Sequence, residues 1–311
     1  VKGNDVHQGN LFEVPVEPNE VLQVNIHKRK LQVCNGYHLD LGQLSRLMGA
    51  IREADDGGKI SRTRLVEATG FPDRYVEALV SMGAAMGLIK TGAQLLTEFG
   101  ELVARYDLFF QRRGTLEWCH FAGAGSYRNL VWFDIFNKYI KDRGEHGAKG
   151  FITQFRKDYT GQYSDRTMRK VFREEVHFIT EAYLDGGFAP LKLFEKRQGD
   201  LFTLQRHFGV EPLILCAMLY RFREYTGAGI FSLEELNSLP GSPAVVFGID
   251  DKALRQLVEG LHARGFLAYE TTHDLDQMRF KPGYGYLDFL EAYFKQHEPR
   301  PSGLSKETYH A

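Results

Sequence analysis

Cysteine is scarce in this chain, with Cys34, Cys119 and Cys216 the only three in 311 residues. They are far apart and odd in number, and no CxxC pair occurs, which argues against a disulfide framework and a structural zinc site. A reducing cytoplasm is the compartment this implies. Long apolar runs are missing as well. The richest, PLILCAMLY at 212–220, falls well short of the ~20 residues that cross a bilayer, so no membrane partner is expected. No charged n-region followed by an apolar h-region opens the chain, and Val1 stands where an initiating Met would, which points to a trimmed start. Charge of one sign is not in excess, the net value being −1. Molecule-wide attraction to nucleic acid is thereby excluded, and any grip on phosphates must come from local patches. Familiar catalytic signatures are absent too: there is no D…ExK, HEXXH, GxxxxGK(S/T) or GxSxG arrangement. An intrinsic ATPase is therefore not expected.

What is present is the balance of a globular protein, 43% hydrophobic and 25% charged, long enough for two or three packed units. Residues 1–38 read as a loose lead-in followed by short strands in VLQVNIHKRKLQV (21–33), with Lys28, Arg29 and Lys30 at their turn as a short basic patch that offers a nucleic-acid contact or is simply a solvated turn. Helical spacing of Leu41, Leu44, Leu47, Met48 and Ile51 then gives a helix that DDGGK (55–59) breaks. Next come a short helix from an N-cap at Ser61 to Gly70 and a second that starts at Pro72. A strand, a turn and a further helix complete a pattern of winged helix-turn-helix order. The pattern returns at 150–210, where Ser164 caps the longer helix and Gly199–Asp200 joins two strands as a wing, and again within 211–295. The expected fold is mainly α (α+β), with tandem winged helix-turn-helix units at 39–108 and 150–210 and a helix plus a third such unit over 211–295. An aromatic-rich helical connector at 109–149 joins the first two, and a polar tail runs over 296–311.

Chemistry concentrates in two places. In GQYSDRTMRKVFREEV (161–176), Arg166, Arg169, Lys170 and Arg173 stand at i, i+3, i+4 and i+7, which puts four cations on one helical face. In a winged unit that helix meets nucleic acid, Tyr163 and Ser164 can donate to a phosphate, and the wing adds Lys192, Lys196 and Arg197. The alternative is a solvated face paired with Asp165, Glu174 and Glu175. The first unit offers Arg74 but sets Asp73 and Glu77 beside it. The third opens with Asp250 and Asp251, which repel phosphate and suit a protein-contact or dimerisation module, so a homodimer is one expected partner state. In the connector, Glu117, His120 and Asp134, with Asn137 one turn further on, have the donor types of a Mg²⁺ site. Such an ion, held by Glu117 and Asp134, would activate water against a phosphodiester. Their alternative role is hydrogen bonding inside an aromatic core.

The connector also carries a likeness. The motifs Leu96–Gly100, Trp118–His120, Trp132–Asn137 and Thr167–Val176 follow one another in the order seen in an uncharacterised-domain family of bacterial DNA phosphorothioation loci, and the chain resembles that family over most of 40–295. The resemblance implies a magnesium-dependent DNA nick in single-stranded phosphorothioate modification, a system of anti-phage defence. It also implies as partners a cysteine desulfurase, an ATPase and an ATP-pyrophosphatase-like protein. It supplies no catalytic residues, so Glu117, His120 and Asp134 rest on their chemistry alone. Two expectations follow: a DNA nicking endonuclease, or a non-catalytic DNA-binding adaptor or regulator that recruits other enzymes.

Overall fold

A computed structural model of the chain describes residues 29–140, 144–205, 209–272 and 275–296. The lead-in, most of the stretch read as early strands, and the polar tail lie outside the described residues. The molecule is mainly helical with three small antiparallel sheets. No described helix is long and apolar enough to cross a membrane.

Local rules set the first elements. Helix α1 (Leu41–Ala54) starts where the Asp40 carboxylate accepts the Gln43 N–H, and it buries Leu44, Leu47, Met48 and Ile51. Helix α2 (Arg62–Thr69) is capped by Ser61 and ends at Gly70 in the left-handed region, as the spacing predicts. Helix α3 (Asp73–Ala85) follows Pro72. Strands β1 (Ile89–Lys90) and β2 (Leu95–Leu96) pair, and α4 (Glu98–Tyr106) is capped by Thr97.

The connector is α5 (Arg113–Ala124), a short break, and α6 (Leu130–Asp134) running into a π-helical turn, Ile135–Tyr139. Gly123 lets α5 lie against Trp132, for a Cβ there would sit 2.8 Å from the indole. Around Trp132 stand Phe178, Tyr183 and Phe188, all edge-on at 5.6–6.4 Å. Each buried aromatic of this kind contributes roughly 1.5–3 kcal/mol by leaving water.

The second and third sheets share one plan. Strand β3 (Glu145–Gly147) leads into α7 (Ala148–Tyr159) and α8 (Asp165–Leu184), then β4 (Phe194–Lys196) and β5 (Leu201–Leu204), in sheet order β3-β5-β4 with His146 opposite Phe202. After the buried α9 (Pro212–Thr226), β6 (Ile230–Ser232) leads through α10 (Leu233–Ser238), α11 (Pro243–Phe247) and α12 (Asp251–Ala263) to β7 (Leu267–Thr272) and β8 (Leu275–Phe280). Their sheet order is β6-β8-β7, with Tyr269 and Phe231 both opposite Met278. Helix α11 is an addition that sequence reading passes over. Helix α13 (Tyr286–Gln296) closes the chain on α9 and α4, and one continuous hydrophobic core runs through all of these elements.

Candidate nucleic-acid interface

Helix α8 is built by amphipathic spacing. Ser164 accepts the Thr167 N–H at its start, and Met168, Phe172, Val176, Ile179 and Tyr183 turn inward. The opposite face is left to Arg166, Arg169, Lys170 and Arg173, all exposed. Lys170 lies 4.0 Å from Glu174. Among the described residues, Arg166, Arg169 and Arg173 form neither an ion pair nor a hydrogen bond. Of the two residues proposed at the helix start, Ser164 is occupied by its capping bond, and Tyr163 packs edge-on against Phe172 at 5.3 Å.

A groove of about 550 Å³ runs along this face, with the four cations on one side and Cys34, Tyr37 and His38 on the other. The second wall is a tight turn in which Tyr37 N–H reaches the Cys34 carbonyl at 3.0 Å. Asn35 (φ 51°) and Gly36 (φ 81°) are both left-handed, the residue pair that such a turn requires. The turn is clasped to α8 by Glu175, whose Oε1 accepts the N–H groups of Val33 at 2.8 Å and Cys34 at 2.9 Å. Glu175 sits on the inward face at 1% exposure, and burial pushes its carboxyl up to about 7. Burial, with Glu175 beside it, also pushes the Cys34 thiol up and disfavours its thiolate.

One expected outcome concerns that clasp. The folded chain holds the Glu175 proton to about 7 and the unfolded chain releases it near 4.5. Stability therefore falls as pH rises through that window, by about 3 kcal/mol. Glu175→Gln keeps the carbonyl acceptor and removes the ionisation. Urea unfolding from pH 4.5 to 7.5 should show the decline in the wild type and a flatter profile in the variant.

The remaining predicted contacts divide. Lys192 is exposed in a left-handed conformation at φ 55°. Lys196 lies 3.9 Å from Asp185. Arg197 is tied down by Glu195 at 3.0 Å and by the Thr203 hydroxyl at 3.2 Å. Arg74 is exposed, and the acids beside it are neutralised by Arg62, which reaches Asp73 at 2.8 Å and Glu77 at 3.0 Å. Two of the expected contacts are corrected. Arg29 is an internal pin, since its guanidinium meets Asp134 at 2.7 Å and lies over the Tyr127 ring at 4.2 Å. Burial works against the Arg29 charge, and the Asp134 ion pair outweighs it. Lys30 turns inward to the Ser81 hydroxyl at 2.7 Å, with its pKa lowered by burial and then by Arg128. Lys28 lies outside the described residues.

Glu117, His120 and Asp134 are fully buried, and each is committed elsewhere. Glu117 holds Arg113 at 3.0 Å with Oε1 and the Glu211 N–H at 3.0 Å with Oε2. Asp134 takes Arg29 on one oxygen, and Tyr159 at 2.5 Å with Lys138 at 3.2 Å on the other. His120 completes a chain of bonds. Trp132 Nε1–H donates to the Tyr183 hydroxyl at 2.9 Å, that hydroxyl meets His120 Nδ1 at 2.5 Å, and Nε2 meets the Val246 carbonyl at 3.0 Å. The carbonyl can only accept, so Nε2 carries the proton and Nδ1 takes the one from Tyr183. Asn137 donates to Ala124 and Phe133 carbonyls and accepts the Gly241 N–H, pinning three segments. Among the described residues no three His, Cys, Asp or Glu side chains are grouped to hold a metal ion. The Mg²⁺ assignment to Glu117 and Asp134 therefore does not fit this arrangement: a hard cation wants free carboxylate oxygens and water, and these oxygens already answer protein cations and donors.

Fold and site together define a helical protein with small strand–helix–hairpin units and, among the described residues, an open groove lined by α8 cations. The chain belongs to the family described as protein of unknown function (DUF4007), which matches residues 76–294. Its fold is that of SspB. A magnesium ion-bound SspB crystal structure superposes with a TM-score of 0.67 at 15% identity, covering 87% of this chain and 90% of that one. A second SspB crystal structure gives 0.65 at 16% identity with the same coverage. No curated protein matches the sequence.

Proposed function

We propose that this chain binds DNA through the cationic face of α8, as the DNA-contacting member of a cytoplasmic phosphorothioate modification system that serves anti-phage defence. The observation that carries the reading is the set of three exposed guanidinium groups, Arg166, Arg169 and Arg173, with no partner among the described residues. Unpaired arginines on one face are costly through mutual repulsion and are repaid by a polyanion. In this reading the two three-stranded units are winged helix-turn-helix modules, with β4–β5 as the wing bearing Lys192 and Lys196. The likeness to SspB and the family resemblance supply the modification context, with a cysteine desulfurase, an ATPase and an ATP-pyrophosphatase-like protein as partners. The third unit faces protein, or a second copy of the chain, because Asp250 and Asp251 stand at the start of α12. Its test is affinity for a labelled oligonucleotide as salt is varied. Three or four phosphate contacts give a log–log slope of roughly −3 to −4, and no binding at low salt would sink the reading.

A second reading, magnesium-dependent nicking, is favoured by the magnesium ion in an SspB structure of the same fold. Glu117, His120 and Asp134 as arranged here do not serve it, so no catalytic step is assigned to them. Supercoiled plasmid incubated with the protein and Mg²⁺, with and without EDTA, decides the matter. Metal-dependent conversion to open circle establishes a nickase, and persistence of supercoiled DNA leaves the non-catalytic adaptor.

A further inference from the structure

We infer that the groove between α8 and the 34–38 turn takes single-stranded nucleic acid, with phosphates along the α8 arginines and a base against Tyr37. This rests on the DNA-binding reading above and specifies the form of the ligand. A helix read by duplex DNA must project into the major groove. Over Arg166 to His177, α8 is instead one side of a concavity whose other side is the clasped turn. A cleft of about 550 Å³ is the size of a small-ligand site, room for a nucleotide or two and not for a double helix.

The two walls match the two halves of a nucleotide. Arg166, Arg169 and Arg173 rise along α8 in steps of nearly a turn, about 5 Å, comparable to the separation of successive phosphates in an extended strand. The acids in the groove pair with other side chains and not with the arginines, Glu174 lying 4.0 Å from Lys170 and Glu181 meeting His38 at 2.6 Å. On the other wall, half-buried Tyr37 rests on Tyr75 with ring centroids 4.9 Å apart, and Tyr75 rests on Phe71 at 5.5 Å. Its position is thus fixed before any ligand arrives. At the far end of this aromatic stripe the Arg46 guanidinium lies 4.6 Å over the Phe71 ring. A cationic track beside ring platforms is the chemistry that holds unpaired bases.

The experiment is fluorescence anisotropy on the full chain with a labelled oligonucleotide, single-stranded and as its duplex. The proteins are wild type, Tyr37→Leu, Tyr37→Phe and Arg166→Ala/Arg169→Ala, each checked by thermal melting. The expected result is single-strand affinity at least tenfold above duplex affinity. Tyr37→Leu should weaken single-strand binding about tenfold, the loss of one stacked base, and leave duplex binding unchanged, while Tyr37→Phe retains wild-type binding. Equal or tighter duplex binding by the wild type overturns the inference whether or not the Tyr37 variants fold. So does a folded Tyr37→Leu that binds single strands normally. If the arginine variant loses affinity while no single-strand preference exists, this inference fails and the DNA-binding reading stands. If the arginine variant binds both forms like wild type, the reading itself fails.

Discussion

Asp134→Ala is expected to cost about 3–5 kcal/mol of unfolding free energy, the usual penalty for removing one partner of a buried ion pair. At this chain size that lowers the melting temperature by roughly 5–8 °C. The cause is what remains. Arg29, its side chain 6% exposed, keeps its bonds to the Tyr127 and Leu130 carbonyls and loses its only carboxylate among the described residues. Tyr159 loses the acceptor for its hydroxyl. A carboxylate held apart for catalysis behaves in the opposite way, because removing it commonly leaves stability unchanged or raises it. Calorimetry of Asp134→Ala and Asp134→Asn separates the two. An Ala variant that melts with the wild type would refute the pin.

Arg166→Ala/Arg169→Ala is expected to act on binding and not on folding. Two charge-assisted contacts of about 1.5 kcal/mol each amount to a roughly hundredfold loss of affinity. The slope of log affinity against log salt should shrink by about two. Both side chains are exposed and without partners among the described residues, so the melting temperature should hold within the ~0.5 kcal/mol scatter of surface substitutions. Affinity and salt slope unchanged together would mean that this face merely meets water.

Caps and periodicity were readable because they are local. Ser61, Gly70 and Ser164 lie within four residues of the groups they satisfy, and the inward set of α8 repeats at helical spacing. The connector residues were visible as polar groups in an apolar segment, and their partners were not. Arg29 stands 105 residues from Asp134, and Tyr183 stands 63 from His120. A nearer signal existed. Arg113 precedes Glu117, and Lys138 follows Asp134, by four residues each, the spacing of helical ion pairs. Glu175 reads in the sequence as a surface partner of the cations, although it falls on the same stripe as Met168, Phe172 and Ile179. A carboxylate on an apolar stripe implies a buried acceptor looking for donors, and the donors came from the 33–34 backbone.

The three cysteines are all free and all buried, one in the groove wall, one in α5 and one in α9. Thiolate formation, on which alkylation depends, is suppressed at each by burial. An alkylating reagent therefore reaches a given sulfur only when its own segment opens. The chain carries three built-in clocks, whose modification rates, read site by site in a mass spectrometer, time the breathing of the groove wall separately from that of the interior.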